Sequence, residues 1–123
     1  KNFKTLNYFL NNYCKDFNFL HILPFFPSSS DDGFAIIDYK KIDNNHGDWN
    51  DFKEICINFK VMTDLVINHC SSSNYLFKNF LKDNDPGSDY FIYNKKKFNG
   101  LSKVVRPRTS ILSKEIRQKI YIK

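Results

Sequence analysis

No apolar run in this chain approaches the ~18 residues needed to cross a bilayer, so no membrane-spanning helix is expected. Cysteine is scarce. Cys14, Cys56 and Cys70 are odd in number and share no CxxC spacing, which argues against both a disulfide framework and a zinc site. Reduced thiols and a cytoplasmic location follow as the default expectation. Neither an internal repeat nor a low-complexity linker is present. The opening Lys1-Asn-Phe-Lys4 carries no initiator Met and no apolar leader core, so a missing start or a cut chain is expected. Acidic residues are outnumbered, giving a net charge of +6. The excess is mostly Lys, dispersed among Asn, Ile, Phe and Tyr. Its densest spots, Lys95 to Lys97 and Arg117 to Lys123, read as a solvated loop and a solvated helix face, so a nucleic-acid partner is not expected.

What is present is enough apolar content, 41% of 123 residues, for a core of single-domain size. Phe3, Leu6, Leu10, Tyr13, Cys14 and Phe17 recur at helical steps. Phe19 to Leu23 is short, apolar and stopped by Pro24, as expected of a buried strand. Pro24, Pro27 and Ser28-Ser-Ser-Asp-Asp-Gly33 then make a long loop, leading to a short extended piece, Phe34 to Tyr39. Trp49, Phe52, Ile55, Cys56 and Phe59 predict a second helix, with Asp48 as N-cap and Asp51 in its first turn. Val61 to Ile67 predicts a second buried strand, with Asp64 an unexpected charge inside it. Strand, helix, strand is a βαβ unit, so the two strands are expected to run parallel with a right-handed crossover. Ser71 or Ser72 is positioned to cap a third helix from about Ser73 to Leu81, and the remainder offers an aromatic extended piece, Asp89 to Tyr93, and a terminal helix.

In parallel α/β folds, ligands bind beyond the carboxyl ends of the strands. Asp31, Asp32, Asn68 and His69 all follow a predicted strand, which puts them at one end of the sheet. Carboxylates and imidazoles there can exchange hydrogen bonds with vicinal hydroxyls, and the ring of Phe34 can lie against the apolar face of a sugar. Duller accounts stand beside this one. A lone His after a strand is commonly structural, Asp pairs before Gly are common in turns, and Asp64 needs a partner if buried. Asp64, Asn68 and His69 also offer metal-ligand atoms, but no second carboxylate cluster completes a site, so no metal is expected. The serine runs 28–30 and 71–73 lack a GxSxG context for a nucleophile.

Leu20-His-Ile-Leu-Pro-Phe-Phe-Pro-Ser-Ser-Ser-Asp-Asp-Gly-Phe-Ala-Ile-Ile-Asp-Tyr39, Gly47-Asp-Trp49, Asp64-Leu-Val-Ile-Asn-His-Cys-Ser-Ser72 and Val104-Val-Arg-Pro-Arg-Thr109 occur in that order. Together they resemble the N-terminal part of the sucrose phosphorylase-like branch of glycoside hydrolase family 13, the α-amylase superfamily, over roughly Phe19 to Leu112. The resemblance implies an α/β fold, the N-terminal portion of a (β/α)8 TIM barrel. Phe19 to Leu23 and Val61 to Ile67 would be its strands two and three. Residues 1–87 would belong to the barrel and 88–123 would begin an inserted B domain.

On the same resemblance, Asp31 and His69 hold hydroxyls of a glucosyl unit and Phe34 packs beside it. Asp64 and Asn68 support the site from behind, and Arg108 lies on the acceptor side. Phosphate is then the co-substrate and no cofactor is needed. The partners are a small α-glucoside and phosphate, with no nucleic acid and no membrane. No catalytic residue falls in this chain, because the nucleophile and the acid/base belong to later strands. The chain is accordingly expected to be a fragment, inactive alone, of a glucosyl phosphorylase of the sucrose, glucosylglycerate or glucosylglycerol type. An α-glucosidase or transglucosidase of the superfamily, or a non-catalytic remnant, are the alternatives.

Overall fold

The computed structural model describes residues 2–30, 32–94, 100, 103–105, 113–116 and 119–122. The chain divides into two compact units, Lys1–Asn74 and Tyr75–Lys123.

In the first unit, helix α1 (Phe3–Tyr13) precedes strand β1 (Phe19–Ile22), and helix α2 (Trp49–Asn58) precedes strand β2 (Lys60–Thr63). Local chemistry fixes the helix starts. Asn2 caps α1 by accepting from the Thr5 N–H at 3.0 Å. Asp48 caps α2 by accepting from Asn50 and Asp51, while Asp51 reaches back to the Asp48 N–H, so the expected cap is a reciprocal capping box. The helix α1 stops at Tyr13 and does not run on to Phe17. The Cys14 N–H closes the last turn on Leu10, and Phe17 turns back to bond Cys14.

Strands β1 and β2 are parallel neighbours, pairing Phe19 with Lys60 through Ile22 with Thr63. This bears out the βαβ arrangement but corrects the strand length. The second strand ends at Thr63, so Asp64 lies just beyond it and not within it. Pro24 supplies the reason. In the register of the pairing, the next steps would set Leu23 and Pro24 opposite Asp64 and Leu65, and a proline has no N–H to continue a ladder. The strands are also half buried and not fully buried, since side chains of successive residues point to opposite faces. Leu20, Ile22 and Val61 pack on the helix side, whereas Phe19 and Met62 are exposed.

The helix-side core joins Phe3 and Leu10 of α1, Ile55 of α2, Phe59 and, from the loop after β1, Phe25 and Ile42. Phe25 is central, its ring centroid 5.3 Å from that of Phe3 and 5.0 Å from that of Phe52. Fully burying a side chain of this size contributes about 2 to 3 kcal/mol. At the surface seam of the two helices, Asn58 donates to Asn11 at 2.9 Å and Lys4 faces Asp51 at 3.7 Å.

The second unit holds helix α3 (Tyr75–Lys82), a 3-10 turn (Ser88–Tyr90) and a three-stranded antiparallel sheet. Its strands are β3 (Tyr93–Asn94), β4 (Ser113–Ile116) and β5 (Lys119–Ile122), in the order β3-β5-β4. The predicted terminal helix, with its basic face, is therefore overturned. Lys119-Ile-Tyr-Ile122 is rich in β-branched and aromatic residues, which suit a pleated strand paired on both sides better than a helix. Phe77, Phe80, Phe91 and Tyr93 form an aromatic cluster with ring centroids 5.1 to 6.0 Å apart. The aromatic piece at 89–93 is accordingly a turn followed by a short strand.

Candidate functional site

Because β1 and β2 are parallel, the chain leaves both of them at the same end of the sheet. The first exit is the loop from Leu23 to Ile42, and the second runs from Asp64 to Asn74. At the root of both, His21 of β1 faces Asp64, with Nε2 2.8 Å from Oδ1. Asp64 is thus a half-exposed residue with a partner. It clamps the two strand ends together.

The first loop folds back on itself as a small polar hairpin, where an extended segment was expected for 34–39. Ser28 and Ile36 form an antiparallel bridge, Ser29 N–H donates to Ala35 O at 3.0 Å, and Ile37 N–H donates to Pro27 O at 2.7 Å. Hydroxyls close the hairpin: Ser28 Oγ donates to Ala35 O at 3.0 Å, and Ser30 Oγ accepts from the Ala35 N–H at 3.1 Å. Asp32, Gly33 and Phe34 therefore sit at its tip. Gly33 has φ +78°, a left-handed conformation that favours glycine, and a Cβ there would come into tight contact with the Pro24 carbonyl oxygen at 3.1 Å. Phe34 is 39% exposed, leaving part of its ring open to a ligand. Asp31 lies outside the described residues.

The second loop presents Asn68 and His69, both exposed. Leu65 and Ile67 are exposed while Val66 is buried, the alternation of an extended chain without a ladder. Two sets of bonds tie this loop to the first. Tyr39 Oη donates to Val66 O at 2.7 Å and stands 3.3 Å from His69 O. Further along, the Ile36 carbonyl accepts from Ser71 N–H at 2.9 Å and from Asn74 Nδ2 at 3.4 Å, and Ser29 and Ser71 hydroxyls meet at 2.7 Å. Among the described residues of this unit, Ser71 and Asn74 are the buried polar ones, 2% and 0% exposed. Ser71 also receives the Ser73 N–H at 3.0 Å, ahead of α3.

Burial raises the Tyr39 phenol above its ordinary value, with the neighbouring Cys70 adding to the shift. It stays a hydrogen-bond donor throughout the neutral range. The Cys70 thiol is likewise pushed up by burial, which keeps it a neutral thiol and a poor nucleophile. Among the described residues, no group of three or more His, Cys, Asp or Glu side chains is disposed to hold a metal ion. No described helix is long and apolar enough to cross a membrane. A cleft of about 490 Å³ lies elsewhere, between α1 and α2, and includes Asn7, Tyr8, Asn11 and Asp51 in its lining. Asn11 is bonded to Asn7 and Asn58, so this is a helix seam whose polar groups are largely committed to each other.

Of the expected site residues, Phe34, Asp64, Asn68 and His69 fall on the two strand exits described above. Asp31 and Arg108 lie outside the described residues. Sequence reasoning missed Tyr39, Ser71 and Asn74 as the links between the loops. Only the frequency of hydroxyls and amides after each strand hinted at them.

A parallel strand pair with helices on one face and polar loops at the carboxyl end is the layout of a (β/α) barrel segment. The family model for the α-amylase catalytic domain matches residues 11–115, and the chain belongs to that family.

Within it, several of the similar proteins are sugar phosphorylases. The glucosylglycerate phosphorylase of Spirochaeta thermophila is 43% identical over 105 residues, which cover 85% of this chain and 18% of that protein. The sucrose 6(F)-phosphate phosphorylase of Thermoanaerobacterium thermosaccharolyticum is 48% identical over 82 residues, covering 66% of this chain and 17% of that one. A crystal structure of sucrose 6F-phosphate phosphorylase from Thermoanaerobacter thermosaccharolyticum superposes with a TM-score of 0.78 at 35% identity, over 98% of this chain and 28% of that one. The chain thus spans under a fifth of the length of these two curated relatives.

Proposed function

We propose that this chain forms part of the donor-sugar wall of a retaining α-glucosyl phosphorylase, within a longer polypeptide. Its substrate would be sucrose or a glucoside of the glucosylglycerate or glucosylglycerol type. The observation that carries the proposal is the joining of two strand exits at one end of a parallel sheet. The Asp32 to Phe34 tip and the Asn68-His69 segment share a common base, fastened by Tyr39 and by the Ser29–Ser71 pair. Resemblance in kind to three named phosphorylases supports the reaction class.

In this account β1 and β2 are strands two and three of the barrel. Residues 1–87 belong to it, and 88–123 open the inserted B domain. Phe19 and Met62 on the open sheet face are apolar, which suits the interior of a completed barrel. Asp31 and His69 grip glucosyl hydroxyls, Phe34 packs beside the ring, and Asp64 and Asn68 hold the wall in shape. Arg108 faces phosphate, for which a planar, permanently charged fork is well suited. The enzyme is cytoplasmic and needs no cofactor.

The chemistry is that of retaining transfer. A carboxylate beyond this chain attacks the anomeric carbon while a carboxylic acid protonates the departing oxygen. Phosphate then attacks the anomeric carbon from the face the leaving group vacated, opposite the ester, gives its proton to the conjugate base, and displaces the carboxylate, so that α-glucose 1-phosphate is formed. The present residues contribute by holding the glucosyl unit, and a misplacement of about 1 Å there costs about 100-fold in rate.

The test is phosphate-dependent release of α-glucose 1-phosphate by the full-length protein. His69→Ala and Asp31→Ala are each expected to lower kcat/KM for the glucoside about 100-fold or more. Parent-like values in both variants remove the donor wall. Arg108→Ala is expected to shift the ratio of phosphorolysis to hydrolysis toward hydrolysis, and an unchanged ratio takes Arg108 away from the phosphate.

A further inference from the structure

We infer that the Tyr39 hydroxyl is a positioning group for His69, holding the segment that presents the imidazole by bracketing the carbonyls of Val66 and His69. This rests on the donor-wall proposal and adds to it a residue that touches no substrate. The strand ladder ends at Thr63, so residues 64–69 have no sheet partner to fix them. Among the described residues, their tethers are the His21–Asp64 pair at the start, the Ser71 N–H to Ile36 O bond just past the end, and Tyr39 between.

The phenol has one proton and meets two acceptors, at 2.7 Å to Val66 O and 3.3 Å to His69 O. The shorter contact is the main bond and the longer one a secondary share of the same proton. Both ends of the four-residue segment Val66–His69 thereby look toward one point. The Tyr39 ring is itself steadied by Phe26, whose centroid is 6.0 Å away. A phenylalanine would fill the same space and leave both carbonyls free to reorient. The hydroxyl is therefore separable from the packing.

Tyr39→Phe in the full-length protein is expected to lower kcat/KM for the glucoside about 10- to 100-fold. KM for phosphate should change little. In a His69→Ala background the same change should cost less than about twofold, since a group that acts through His69 loses its purpose once the imidazole is gone. Replacing Tyr39 with 4-aminophenylalanine, which keeps a donor at that point, is expected to restore most of the loss. Three results would overturn the inference: an equal loss in both backgrounds, donor kinetics unchanged in Tyr39→Phe, or no rescue by the amine. A His69→Ala variant with parent-like donor kinetics is a separate outcome, visible in the single variant, and it overturns the donor wall and this inference together.

Discussion

The helix side of the sheet and its loop end are held by different physics. On the helix side, Phe3, Leu10, Phe25, Ile55 and Phe59 exclude water by volume, and the ring of Phe25 has the rings of Phe3, Phe26, Trp49 and Phe52 as neighbours. At the loop end, the links are individual polar atoms: one phenol, two hydroxyls, one amide and a few carbonyls. Dispersion and burial depend on filled space and accept many side chains of similar size. A buried hydrogen bond depends on one donor and one acceptor, and leaves a stranded partner when either is removed. The first region should therefore respond to volume and the second to chemistry.

The largest effect expected from this contrast is at Phe25. Phe25→Ala should cost about 3 to 5 kcal/mol, because a cavity adds to the lost transfer energy. Phe25→Leu, which keeps most of the volume, should cost less than half as much. Urea unfolding midpoints of the two variants measure the difference. Equal losses would mean that the site is sensitive to ring geometry and would blur the contrast.

Next comes Ser71, which is 2% exposed. Ser71→Ala changes volume by one oxygen yet strands the Ser29 hydroxyl and the Ser73 N–H, at a cost of about 1 to 3 kcal/mol. Ser71→Thr keeps the hydroxyl, and its added methyl tests whether the knot has room. A Ser71→Ala variant as stable as the parent would show that water replaces the lost oxygen. The loop end would then be less specific than its bonds imply.

These two regions were also unequally legible in the sequence. The helix side announced itself through spacing: Phe3, Leu6 and Leu10 in one stripe, Phe52, Ile55 and Phe59 in another, with Asp48 marking a start that proved to be a capping box. Pro24 marked the end of β1 to within one residue, since the strand stops at Ile22. Its further effect, ending β2 early on the neighbouring strand, required the register of the pair, which no local pattern contains. Tyr39 and Val66 are 27 residues apart, and Ser29 and Ser71 are 42 apart. A bond between a side chain and a distant carbonyl has no period to detect. The terminal helix failed for a related reason, since Lys119-Ile-Tyr-Ile122 became a strand by pairing with two others.

The smallest effect expected concerns Asp48, where the two kinds of stabilisation meet, since a polar cap starts a helix that carries the apolar core. The N–H groups of Asp51 and Asn50 hold its carboxyl below the ordinary value of 3.8, with a lesser contribution from the Lys4 ammonium. A depressed carboxyl stabilises the fold fully above that ordinary value, and the contribution fades as pH falls through the lowered value. Asp48→Asn keeps an acceptor at the cap, and Asn is as good an N-cap as Asp. Stability at neutral pH should therefore move little. Below pH 3.8 the parent loses a contribution that the variant never had, so the parent's thermal midpoint should fall relative to the variant's on acidification. A difference between the midpoints that stays constant down to pH 2 would show that the cap acts through geometry alone, which would align this exposed polar site with the volume-governed region and not with the loop end.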